Sequence, residues 1–258
     1  MRHFLAATLL VLAGCAATPE PGPAATGASS ALELYRQALA ARDANDDAEA
    51  QELMRRSAEA GYAEACHEYG LWLYLGTYRP RNPEAAAGWL LKAAEQGIVD
   101  SQLFVAQMYL FGRGLPLNER EALRWFTRAA EAGSAEAQYR VGMAYDEGVG
   151  AAPDPIHAMK WLKLASDQGH LDATYHLAVL TVEGDGTPPD ATRWTQAIAL
   201  FKQGAEGGHG PCQLALGQCY ERGEGLPRDD AKARQWYEAA AGSPDVKVAQ
   251  EARNRLKR

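Results

Sequence analysis

Residues 135–170 read AEAQYRVGMAYDEGVGAAPDPIHAMKWLKLASDQGH, and two helices are legible in them. Ala135, Tyr139, Gly142 and Tyr145 follow at steps of four, three and three, which places them on one face of a helix. Gly148-Val149-Gly150 breaks that helix, because glycine supplies the left-handed backbone that closes a helix end. Asp154-Pro155 opens the second helix, with Asp as N-cap and Pro in the first turn, where its missing N–H does no harm. Ala158, Trp161, Leu162 and Ala165 form its apolar stripe, and Gly169 ends it.

The same markers recur along the chain. Trp89, Trp125 and Trp161 are 36 residues apart, and Trp236 follows 75 later, which is 36 plus 39. Gly61, Gly97, Gly133 and Gly169 keep the 36-residue step, with Gly208 another 39 on. Gly112/Gly114, Gly148/Gly150, Gly184/Gly186 and Gly223/Gly225 keep those intervals too, so three markers agree on a three-residue insertion near Pro188–Thr195. Self-similarity at this period is the signature of a repeat array. The fold class expected is all-α, an α-solenoid of antiparallel helix pairs. Small residues recur in mid-first-helix at Gly70, Ala106, Gly142, Ala178 and Gly217. A glycine there costs about 1 kcal/mol against alanine, so a close helix approach is expected to offset it. The Trp column, flanked by Leu90, Phe126, Leu162 and Tyr237, is read as inter-repeat core.

These units resemble the Sel-one-like repeat, a relative of the tetratricopeptide repeat. The resemblance rests on Ala135-Glu136-Ala137-Gln138-Tyr139, Gly142-Met143-Ala144-Tyr145, the Gly-x-Gly turn, Trp161-Leu162-Lys163, and the ending Lys92-Ala93-Ala94-Glu95-Gln96-Gly97. It implies a right-handed superhelix and protein binding. Residues 62–242 read as five such repeats, residues 31–61 as a degenerate leading helical pair, and residues 243–258 as a polar capping helix after Pro244. Three units depart from the pattern. Repeat one has Gly76-Thr77-Tyr78 at its turn, repeat four has Leu200 in the Trp column, and repeat five ends two residues short.

Ahead of the repeats, Arg2 precedes the apolar run Phe4–Ala13, which is too short to span a bilayer at about 20 residues but fits the core of a signal peptide. Leu12-Ala13-Gly14-Cys15 resembles the bacterial lipoprotein box, so residues 1–14 are read as a signal peptide and Cys15 as the lipidation site. Cleavage there leaves 25 basic and 33 acidic residues. Ala16 after the cysteine favours the outer membrane by resemblance to enterobacterial lipoproteins. Together with Cys15, residues 16–30, rich in Pro, Gly, Ala, Ser and Thr, are read as a flexible tether reaching on the order of 20 Å. The location implied is the bacterial cell envelope, facing the periplasm.

A formal net charge of −7 over 258 residues disfavours nucleic-acid binding. No catalytic constellation, metal site or cofactor site is identified, and no small-molecule substrate is expected. His170 and His209 share one column after the capping glycine, which favours a helix-start role for both. Cys212 and Cys219, seven apart on one helix, would stand about 10.5 Å apart. A disulfide needs Cα atoms within about 7 Å, so free buried thiols are expected, Cys66 among them. Some secreted family members bridge the two helices of a unit; Cys66 matches the first such position, but Ala94 stands at the second.

On the first helices, the face away from the core should hold residues 64, 68, 71 and 75 and their equivalents. Repeat three shows Glu136, Arg140, Met143 and Glu147 there, whereas repeat one shows Leu71 and Leu75 and repeat two shows Phe104 and Phe111. Large apolar residues in otherwise charged columns mark a candidate binding patch. First helices of tetratricopeptide-like arrays line the concave groove, so the resemblance implies that Leu71, Leu75, Phe104, Phe111 and Met143 meet a protein or peptide partner. An envelope enzyme acting on peptidoglycan or β-lactams, and a purely structural spacer, are the alternatives.

Overall fold

The computed structural model describes residues 23–184 and 189–257. All regular structure among them is helical. The helices are α1 Pro23–Asp43, α2 Asp47–Glu59, α3 Ala63–Leu75, α4 Pro83–Glu95, α5 Val99–Phe111, α6 Glu119–Glu131 and α7 Ala135–Glu147. They continue as α8 Pro155–Asp167, α9 Leu171–Glu183, α10 Ala191–Glu206, α11 Gly210–Arg222, α12 Asp230–Ala240 and α13 Val246–Leu256. No described helix is long and apolar enough to cross a membrane.

The chain divides into two compact units after Tyr62. In the first, α1 and α2 pair through buried Ala31, Ala38, Leu53, Met54 and Ala58, and Ser57 Oγ donates to the Ala31 carbonyl at 2.7 Å. Helix α1 starts at Pro23, eight residues inside the stretch 15–30 read as tether. Proline at the first helical position and the alanines after it let the helix extend backwards, so residues 23–30 correct that reading. The signal peptide, Cys15 and the rest of the tether lie outside the described residues.

In the second unit each helix packs chiefly on the one before and the one after, the linear architecture of a solenoid. Within a pair, the first helix meets the second at the small-residue column. A Cβ on Gly142 would stand 2.7 Å from Leu162 Cγ; on Gly70, 2.8 Å from Leu90 Cγ; on Gly217, 2.6 Å from Tyr237 Cε1. The glycines are there because the partner side chain twenty residues later occupies the Cβ position.

That column corrects one expectation. The residue following the Trp column is buried in every repeat: Leu90, Phe126, Leu162 and Tyr237, with Phe201 at that place in repeat four. Trp125 is buried, but Trp89, Trp161 and Trp236 are only half-buried. Lys92 lies over the Trp89 ring at 4.1 Å and Arg128 over Trp125 at 4.6 Å. One helical step, about 100°, turns the indoles from the pair interface towards its edge.

The Gly-x-Gly turns do two jobs. Gly112, Gly148 and Gly223 are left-handed caps whose N–H bonds the carbonyl four residues back. The second glycine packs on the preceding repeat: a Cβ on Gly150 would collide with the Glu119 carbonyl oxygen, and one on Gly114 with that of Pro83. The turns after α5, α7 and α11 then close with an N-cap N–H bonded to the first helix, Asn118 to Tyr109 O at 2.9 Å, Asp154 to Tyr145 O at 2.8 Å and Asp229 to Tyr220 O at 3.0 Å. Repeat one keeps this closure (Asn82 to Leu73 O, 2.8 Å), with Tyr78 set edge-on to Trp72 in place of a second glycine. In repeat four, Arg193 reaches across the insertion and donates to the carbonyls of Thr181 (2.9 Å) and Val182 (2.8 Å). At the far end α13, capped by Asp245, buries Ala249 and Ala252.

Candidate protein-binding groove

The first helices of successive repeats stand side by side, and their side chains meet across the junctions. Tyr74 of α3 and Phe104 of α5 pack edge to face, ring centroids 4.7 Å apart. Tyr139 of α7 stacks on His170 at 4.7 Å and touches His176 of α9. Tyr175 in turn contacts His176 and His209.

His170 and His209 take the helix-start position expected of them. The His170 Nδ1 accepts the Ala173 N–H at 3.2 Å, so the ring proton sits on Nε2 and is donated to Glu136 at 3.1 Å. One repeat on, His209 Nε2 lies 3.0 Å from Asp172, while Nδ1 lies 3.2 Å from Cys212 Sγ. Desolvation alone would raise the Glu136 carboxyl, but hydrogen bonds from His170 and Arg140 outweigh it and hold it below the ordinary carboxylate value. Burial pushes the His176 imidazole below its ordinary value. His67, on α3, pairs with Ser101 at 2.7 Å. These histidines knit repeats together. Among the described residues, no group of three or more His, Cys, Asp and Glu side chains is placed to hold a metal ion.

Cys66, Cys212 and Cys219 are buried, and none of them is in a disulfide. Burial drives the Cys212 thiol up to about 12 and that of Cys219 to about 11.

The five residues of the apolar patch separate into distinct environments. Leu75 and Phe111, the last residues of α3 and α5, are 66% and 57% exposed. Leu71, Phe104 and Met143 are half-buried against the core, Phe104 held by Tyr74. Phe111 and Met143 converge on one groove between α5, α6 and α7, about 290 Å³ in volume. Leu110, Leu123, Phe126 and Val149 complete its apolar surface, and Glu119, Arg140 and Glu147 border it. The volume sits at the small end of the 300–1,000 Å³ or so typical of ligand pockets, which suits one or two inserted side chains. The period of the first helix reveals Phe111 and Met143; it is silent on Leu123 and Phe126, which the second helix of the pair contributes from below. Leu71, Leu75 and Phe104 do not line this groove.

A profile of the Sel1 repeat matches residues 42–62, 63–98, 99–134, 135–170, 171–209 and 210–243. Among solved structures, a Sel1 repeat protein from Oxalobacter formigenes is 31% identical over 87% of this chain and 65% of that one, with a TM-score of 0.67. A protective antigen of uropathogenic Escherichia coli strains displaying an SLR fold, c5321, is 24% identical over 84% of this chain and 53% of that one, with a TM-score of 0.53. The chain therefore spans 65% and 53% of the length of these two proteins. No curated protein gives a significant match.

Proposed function

The chain belongs to the Sel1 repeat family, and on that premise we propose that it is a non-enzymatic scaffold that binds a protein or peptide partner through the first-helix face of its repeats. The observation that carries this reading is the groove where Phe111 and Met143 meet. A phenylalanine 57% exposed at the rim of an apolar cleft leaves surface that a partner's side chain would remove from water. Repeat folds present extended surfaces of this kind, and what such a surface does depends on the side chains it carries.

The proposal includes the setting. The Leu12-Ala13-Gly14-Cys15 box supports lipidation at Cys15 and attachment to a bacterial envelope membrane, facing the periplasm, with Ala16 favouring the outer membrane. One acyl chain anchors weakly, so the two or three carried by a lipoprotein cysteine are what would hold the protein stably. Incorporation of a clickable fatty acid, lost in Cys15→Ser, tests this part alone.

Binding is tested by photocrosslinking in living cells, with a photoreactive residue at Phe111 and, as control, at Leu164, 48% exposed on the second helix α8. A discrete adduct from Phe111 and none from Leu164 is expected. Equal adducts from both positions, or none from either, would leave a structural spacer as the better reading.

A further inference from the structure

The charge on the first helices is one-sided. Helices α5, α7 and α9 carry Asp100, Glu136, Asp146, Glu147, Asp172 and Glu183 against a single cation, Arg140. The second helix α6 is balanced by contrast, interleaving Arg120, Arg124 and Arg128 with its glutamates. Arg140 is already taken: its Nε donates to Glu136 at 2.6 Å. At the groove itself, Arg113 lies over one face of the Phe111 ring at 5.3 Å. The two carboxylates of the border, Glu119 and Glu147, are exposed and have no ion-pair partner among the described residues. The apolar cleft is thus edged by unpaired negative charge and lies on a face that is negative beyond it.

Resting on the binding role proposed above, we propose that the occupant of this groove is a basic peptide segment. It seats an aliphatic or aromatic side chain against Phe111, Leu123, Phe126 and Met143, and an adjacent lysine or arginine reaches Glu119 or Glu147. The apolar contact supplies most of the affinity; the charges select the partner and speed its approach. An acidic segment is disfavoured, because its carboxylates would meet those of the border, where the cations at hand are Arg140, held by Glu136, and Arg113, set over the Phe111 ring.

The test uses the full chain and a random twelve-residue peptide library on phage, followed by fluorescence anisotropy of the selected peptides. The variants are Phe111→Asp and the pair Glu119→Gln with Glu147→Gln. All three positions are exposed, and circular dichroism checks that each variant is folded. The expected result is enrichment of peptides that combine an apolar residue with lysine or arginine. Binding is lost in Phe111→Asp. It weakens on the order of tenfold in the double Gln variant, since each exposed ion pair contributes only a few-fold. The salt dependence of binding flattens in that variant as well. Peptides that need Phe111 but are neutral or acidic would overturn the basic-partner inference while leaving the groove's binding role standing. Peptides that bind without regard to Phe111, or no selected peptide at all, would overturn both.

Discussion

A single unmet hydrogen bond gives a sharp test of the repeat register. Gln138 donates through Nε2 to the Ala130 carbonyl at 3.2 Å, and its Oε1 accepts from Gln168 Nε2 at 2.7 Å. One repeat earlier, Gln102 makes the same donation, to Ala94 at 3.1 Å, but its buried Oε1 has no partner among the described residues. The residue 36 positions before Gln168 is Ala132, whose methyl group has no hydrogen bond to donate. Both Ala132 and Gln168 are exposed C-cap residues, so a longer side chain at Ala132 meets no packed neighbour. Ala132→Gln should therefore stabilise the protein. Satisfying a buried acceptor recovers about 1–3 kcal/mol. Ordering the glutamine side chain takes back up to about 1.5–2 kcal/mol, for a net gain near 1 kcal/mol. At this chain length that corresponds to a rise in Tm of about 2–4 °C. Thermal melts of the wild type, Ala132→Gln, Gln102→Leu and the double variant close a mutant cycle. No gain, or the same gain when Gln102 is already leucine, would refute the idea that the two repeats share one hydrogen-bond register.

The left-handed glycines make a second prediction: Gly133→Ala, between α6 and α7, with φ +95 and nothing near the new Cβ, should cost the left-handed penalty of about 1–2 kcal/mol alone. Gly150→Ala adds a collision with the Glu119 backbone and should cost at least about 1 kcal/mol more in urea titrations; equal losses would mean the turn does not pack on the preceding repeat. In acid, His176 has a folded pKa below its unfolded 6.5, and Glu136 one below 4.5. The unfolded chain thus binds more protons, and stability should fall as pH drops below 6.5 and again below 4.5, with His176→Phe removing the upper part of the loss. A melting profile flat between pH 7 and 4 would contradict both assignments. In alkali the sign reverses: Cys212 and Cys219 keep their protons to about 12 and 11 when folded but lose them near 9.0 when unfolded, so stability should fall as pH rises through that window. At pH 8 a thiol reagent should label the folded Cys15→Ser variant only at its unfolding rate; fast labelling would show that these cysteines are accessible.

The helix pairs were open to inspection in the sequence because a repeat restates its own boundaries. The end of α7 and both ends of α8 follow from Gly148, Asp154 and Gly169 by local backbone chemistry alone. What depends on a neighbouring unit was hidden. The second glycine of a turn looks like part of a cap, yet at Gly114 and Gly150 its Cβ position is filled by a carbonyl 31 residues earlier, and at Gly225 by the side chain of Trp194. The tryptophans repeat more visibly than the residues after them, but those quieter residues fill the core, since recurrence does not say which side of a helix edge a ring falls on. Composition hid the helical state of residues 23–30, where alanine and proline suit a tether and a helix start equally well. At the groove, Phe111 and Met143 stood out as apolar residues in charged columns. Leu123 and Phe126 did not, because on their own helix they are ordinary core residues, and only the stacking of one pair on the next exposes part of them.

The most direct test of the groove is a methyl spectrum. In the full chain labelled at methionine Cε, Met143 lines the cleft, while Met54 and Met108 are buried elsewhere. Titration with a partner captured from Phe111 should shift and broaden the Met143 resonance and leave that of Met54 in place. A partner that binds with affinity unchanged by Phe111→Asp, and leaves Met143 unmoved, would show that binding takes place on another face and that the groove is not the site.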